Sequence, residues 1–193
     1  MTRPTHPPSG QKPRFVSVAG IILLILALTT HVRADEKASE YQIKAAFLYN
    51  FANFTTWPQG AFLDGTSPLV IGVLGEDPFN GHLSAVESKT VANGRPIRIA
   101  RARALTDLPV CHILFVSASE NRRLPEIFEQ FDNHAVLTIG DAPDACRQGT
   151  MISFFNEDNK VRFSVNLDAI NESVLRLDSR VLKLGRAIDG RSE

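Results

Sequence analysis

Little in this chain of 193 residues suits metal, nucleotide or nucleic-acid chemistry. Two cysteines cannot build a zinc ribbon or a dense disulfide scaffold, and Lys+Arg 21 against Asp+Glu 21 offers no basic field to nucleic acid. The sequence contains no Gly-x-Gly-x-x-Gly fingerprint, no P-loop ending in Gly-Lys-Ser/Thr and no Gly-x-Ser-x-Gly elbow. Histidine is confined to five positions, and the three beyond the first 34 residues (His82, His112 and His134) show no helical metal-ligand spacing. Neither catalytic residues nor a metal or cofactor are therefore expected. Long apolar runs are also scarce. The longest, residues 18–28, falls short of the roughly 20 residues a comfortable membrane-spanning helix needs.

What precedes and follows that run gives it a meaning. Arg3, Lys12 and Arg14 stand before it, Val32-Arg33-Ala34 follows, and Asp35-Glu36 comes next. A basic start, a short apolar stretch and modest residues at the −3 and −1 positions are the features of a secretory signal peptide. Cleavage is expected after Ala34, leaving residues 35–193 as one soluble, exported domain that is not embedded in the membrane. In a Gram-negative cell that domain is periplasmic. Four of the basic residues and none of the acidic ones lie in residues 1–34, so the remainder carries an acidic excess of four.

Within residues 35–193 the hydrophobic patterning changes period. From Lys37 to Phe54 there is no Gly or Pro. Tyr41, Ala45, Leu48 and Ala52 form one helical stripe and Ile43, Phe47, Phe51 and Phe54 another, with Ser39 as cap and Lys44, Asn50 and Asn53 at the margins. The continuous apolar run Leu69–Leu74 reads as a strand buried on both faces, and by the same rule so do Ile97–Arg101, Cys111–Val116 and Ala135–Ile139. Pro78–Val86 and the spacing of Leu124, Ile127, Phe128 and Phe131 predict intervening helices. Alternating strands and helices imply a mostly parallel sheet flanked by helices. Gly72 lies inside a strand, where close backbone packing explains it.

The carboxyl-terminal part reads differently. Met151–Phe155 and Val161–Val165 alternate about the polar cluster Asn156–Lys160, which predicts an antiparallel β-hairpin. A short helix is expected over Asp168–Val174, then a last one capped by Asp178 or Ser179 and carrying Val181, Leu182, Leu184 and Ile188. The fold class is thus α/β, a single domain with a terminal hairpin and terminal helices.

Ligands of parallel sheets collect at the carboxyl ends of the strands, where this sequence places Glu76, Asp77, Ser117, Ser119 and Asp141. Those residue types also serve as ordinary caps and turns. Cys111 and Cys146 lie in a chain expected to meet oxidising conditions, where they form either a disulfide or two buried free thiols.

Several segments taken together resemble the YfiR family of exported bacterial proteins. They are Tyr41–Phe51, Phe54, Trp57-Pro58, Ile71–Phe79, Cys111–Val116, Leu137–Ile139, Gly149–Ile152, Arg162-Phe163, Asn166 and Ser179–Leu182. The resemblance runs from Glu40 to about Leu184. It implies a non-enzymatic periplasmic regulator that binds the sensor domain of an inner-membrane diguanylate cyclase and holds it inactive. The alternative is a small-molecule sensing module coupled to another sensory membrane protein; a homodimer is compatible with either. Well-known members carry cysteines where Gly72 and Ser153 stand, paired with those matching Cys111 and Cys146, so the family's two bridges cannot form here. For the partner surface, Tyr49, Asn50, Asn53 and Trp57 around the exit of the first helix are the leading candidates, with Arg162 and Arg180 next, because interface anchors are rich in Trp, Tyr and Arg.

Overall fold

Helix α1 occupies residues 38–54 and lays one face across a sheet. The computed structural model describes residues 38–189 apart from Ala92 and residues 131–134, so the expected signal peptide, Phe131 and His134 lie outside the described residues. After α1 come β1 (Thr55–Thr56), β2 (Leu69–Leu74), α2 (Ser84–Glu87), β3 (Ile97–Ala102), β4 (Ile113–Val116), α3 (Leu124–Gln130) and β5 (Leu137–Gly140). The chain ends with β6 (Ile152–Glu157), β7 (Lys160–Asn166), α4 (Leu167–Glu172), β8 (Arg176–Leu177), α5 (Ser179–Leu184) and β9 (Arg186–Ile188).

Seven strands form the main sheet in the order β3-β2-β4-β5-β6-β7-β9. Neighbours from β3 through β6 are parallel, β6 and β7 form the antiparallel hairpin, and β9 runs parallel to β7. Every residue of β2, β4 and β5 is buried, the reason these strands read as unbroken apolar runs, whereas β3 alternates because it lies at the edge. The hairpin turns on Asp158 and Asn159, both at positive φ, as a two-residue turn matched to strand twist requires. A separate two-stranded ribbon pairs β1 with β8.

The sheet has two apolar faces. On one, Leu48 and Phe51 of α1 meet Ile71, Val73, Ile113, Phe115, Ile139 and Ile152, and α4 and α5 add Ile170 and Val181. Phe47 and Phe51 also pack against Phe154 and Phe163, mostly edge-on or tilted, with centroids 5.1 to 6.1 Å apart. The other face is covered by Leu124 and Ile127 of α3 with Ala145, over Val70, Leu74, Leu114 and Val116.

Some local expectations are corrected. Ser39 lies inside α1 rather than capping it. Ile43 is exposed, and Lys44 is buried rather than marginal, because a helical step of three or four residues puts position 44 between Tyr41 and Leu48 on the inner stripe. The helix expected from Pro78 is shortened to α2, since Asn80 and Gly81 adopt positive φ. The strand expected from Cys111 starts at Ile113, and the helix after Asn166 ends at Glu172. The final helix stops at Leu184, leaving Ile188 in β9. A Cβ on Gly185 would stand 2.6 Å from Phe163, so the chain passes close over β7 there and continues as a strand.

Candidate functional site

The exit of α1 gathers most of the residues expected at a partner surface. The Asp178 N–H donates to the Phe54 carbonyl, and Thr55 pairs with Leu177, which ties the end of α1 to the start of α5. Arg180 lies over the Phe54 ring at 4.2 Å and donates to both Asp178 carboxylate oxygens. Those bonds hold the Asp178 carboxyl well below the usual carboxylate range. Asn53 donates to the Tyr49 carbonyl, and the Tyr49 hydroxyl donates to the Thr90 carbonyl, with Lys89 over its ring. Asn50 is exposed between them. Arg162 stands apart from this group, on β7 opposite Phe155.

Trp57 is half-buried, and its Nε1 donates to the His112 carbonyl at 3.3 Å. Together with Ala52, Asn53, Thr55, Phe62 and Val91 it lines a cleft of about 240 Å³ beside the ribbon. Its walls carry amides, hydroxyls and aromatic carbon but no ionised group, so the surface suits neutral, partly apolar contact rather than charge recognition.

The carboxyl ends of the strands are arranged otherwise than a ligand crevice. The sheet order reverses between β2 and β4, the place where doubly wound sheets ordinarily open. Here Gly75, at φ +95, is closed over by β4's continuation: an added Cβ would meet the Ser119 Oγ at 2.5 Å and Glu120 Cγ at 2.7 Å. Ser119 accepts from the Glu76 N–H, and Ser117 is buried as the cap of the turn that follows. Asp77 accepts from the Phe79 N–H and pairs with Arg101 at 2.6 Å.

Asp141 points to a different set of partners. Its carboxylate accepts from Tyr41 at 2.8 Å and from Lys44 at 2.6 Å, and Lys44 also pairs with Glu40. The side chains of Lys44 and Asp141 are 6% and 1% exposed, so the pair is closed to water. Burial raises the Asp141 carboxyl against the opposing pull of Lys44, and burial together with Asp141 pushes the Tyr41 hydroxyl well up. Of the five residues expected at the strand ends, the structure brings Glu76, Ser117 and Ser119 together. Asp77 and Asp141 belong to ion pairs of their own. Sequence reasoning misses Lys44 and Glu40 as site residues; the signal that could have found them is a lysine on an otherwise apolar helical stripe.

Both cysteines are free and buried. Burial pushes the Cys111 thiol up to about 11 and raises Cys146 too, so neither is a ready nucleophile. A Cβ built on Gly72 falls 3.4 Å from Cys111 Cβ, and the Ser153 hydroxyl flanks the Cys146 sulfur. The two positions at which the family resemblance implied cysteines thus lie against the two thiols this chain retains.

Among the described residues, no helix is long and apolar enough to cross a membrane, and no cluster of His, Cys, Asp or Glu could hold a metal ion. The pattern of the YfiR/HmsC-like family matches residues 41–186, from the inner stripe of α1 to the first residue of β9. That span takes in nearly the whole main sheet and most of its helical cover, and the chain belongs to the YfiR/HmsC-like family.

Proposed function

We propose that this protein is a periplasmic regulatory binding protein. It represses a membrane-anchored diguanylate cyclase by binding the cyclase's periplasmic sensor domain, and so lowers cyclic di-GMP signalling. The family match across residues 41–186 carries the reading. Such repression needs no catalytic group, only tighter binding to the inactive state of the partner than to the active one. Moving a partner from 99:1 active to 99:1 inactive takes about 10⁴-fold preference, near 5.5 kcal/mol.

The contact surface we assign is the exit of α1 with the β1–β8 ribbon: Tyr49, Asn50, Asn53, Trp57 and Arg180, with Arg162 at a second patch. An aromatic anchor beside a neutral cleft, flanked by an arginine already ordered over Phe54, has the composition of an interface centre.

The test is cellular cyclic di-GMP after deletion of the gene, followed by restoration with the full chain or with one lacking residues 1–34. A rise on deletion, reversed by the full chain alone, is expected. A nucleotide level that does not move overturns the reading. Restoration with Arg180→Glu is expected to fail in repression while the purified variant keeps its melting temperature.

A further inference from the structure

His112 stands at the entry to β4, 6% exposed, with both ring nitrogens bonded to main chain. Nδ1 accepts the Val70 N–H at 3.0 Å, so Nε2 carries the proton and donates to the Ala61 carbonyl, also at 3.0 Å. The neutral ring thereby clamps the loop of residues 57–68 to β2. Phe62 of that loop stacks on the imidazole with centroids 4.2 Å apart, and Trp57 meets both rings edge-on. The Arg95 guanidinium lies 3.9 Å from the Phe62 centroid and donates to the carbonyls of Asp64 and Ser67. Beside the clamp, Pro58, Ala61, Val110, Cys111, His112 and Val136 line a surface cleft of about 350 Å³.

A second proton can enter only at Nδ1, where the Val70 N–H already points. Protonation would replace a hydrogen bond by two opposed donors. Besides the Ala61 carbonyl and the face of Phe62, nothing facing the ring favours the cation. From the turn before β3 comes Arg95, itself positive. From the loop comes Asp64, whose carboxylate is engaged by the N–H groups of Thr66 and Ser67. Beside β4 the Cys111 thiol lies against the Gly72 position, and the flank of β5 supplies Ala135 and Val136. Burial first, and Arg95 more weakly, lower the imidazole against the opposing bond to Ala61.

We propose that His112 is an acid-sensitive latch, whose protonation at Nδ1 releases the loop of residues 57–68 from β2 and β4 and opens the cleft over Cys111. The sign follows from linkage. A histidine lowered by folding contributes its full stabilisation above the unfolded-state value of about 6.5, and that contribution is lost as pH falls from there to the lower folded-state value. Between the two values, the released population grows about tenfold per pH unit. The latch is a property of this chain and does not rest on the regulatory reading.

Trp57 is the one tryptophan of the sequence, so its emission reports the loop directly. The full chain is titrated from pH 8 to pH 5 while Trp57 emission, far-ultraviolet circular dichroism and modification by dithiodipyridine, a thiol reagent active in acid, are followed. The expected result is a reversible emission change below pH 6.5 with unchanged circular dichroism. Modification of Cys111, located by peptide mass, should rise with it while the fully buried Cys146 stays protected. His112→Asn, which cannot take the proton, should be flat in both signals. Arg95→Gln, which removes the guanidinium bonds to the loop carbonyls of Asp64 and Ser67 and so favours release, should move the midpoint to higher pH and keeps the test open if the histidine variant does not fold. No transition, an emission change without Cys111 exposure, a transition that persists in His112→Asn, or an unmoved midpoint in Arg95→Gln would each overturn the latch.

Discussion

At the scale of single residues, the Lys44–Asp141 pair shows why a buried charge is dangerous to its own fold. Two ions withdrawn from water stabilise little on balance, but removing one leaves the other buried without a counter-charge. Asp141→Ala is therefore expected to cost about 3–5 kcal/mol, measured by urea unfolding with an unchanged m-value, whereas Lys44→Met combined with Asp141→Leu recovers most of the loss. The thiols give a second residue-level outcome. Gly72→Cys places a Cβ within bridging distance of Cys111, since disulfides join Cβ atoms about 3.8 Å apart. Oxidation of that variant should remove two hydrogens by mass and raise stability by about 4 kcal/mol in the chain-entropy treatment of the closed loop, an effect abolished by reductant.

Among the elements, caps and turns settle boundaries that periodicity leaves loose. Asn166 ends β7 and begins α4: its Oδ1 accepts from the Ala169 N–H and its Nδ2 donates to the Cys146 carbonyl, all nearly out of contact with water. Asn166→Ala loses both bonds and should destabilise by about 2 kcal/mol in thermal or urea melts, while Asn166→Asp keeps the helix cap but sets a buried carboxylate oxygen against the Cys146 carbonyl and should destabilise at least as much. Strands buried on both faces are the most legible part of the sequence, because β2, β4 and β5 are apolar almost throughout and leave little to confuse the reading. The hairpin is legible from its polar turn. The true length of α2 is open to reading, since Asn80-Gly81 is a turn dipeptide that tolerates left-handed backbone, but the apolar spacing of Pro78–Val86 masks it. β9 is hidden for a different reason: the need for Gly185 to lie against Phe163 exists only once β7 is in place. The site residues are partly legible. Trp57 and Asn53 stand out through their chemistry, whereas the role of Lys44 depends on Asp141, a partner far along the chain.

For the whole molecule, the open edges of the sheet decide how it behaves in company. β3 is one edge, and two of its outward amides are covered: Ile97 donates to the Lys89 carbonyl and Ile99 to the Glu87 carboxylate. An edge strand left bare is a template for pairing with another chain. Glu87→Ala uncovers the Ile99 amide, so concentration-dependent association, read by light scattering, should increase while the monomer's circular dichroism stays the same.

The distance in sequence between Lys44 and Asp141 also bears on time. A polypeptide emerges from the ribosome amino end first, at about 5–20 residues per second, so the 97 positions between them amount to about 5–20 s. Throughout that interval α1 exists without the carboxylate that allows its lysine to be buried, and without Ile152, Phe154 and Phe163 of the hairpin, which complete the cover of its inner face. The seat of the helix, begun by β2, is complete only when the second half of the chain arrives. A polypeptide that postpones its own collapse in this way stays threadable, which is what passage through a membrane pore in an unfolded state demands.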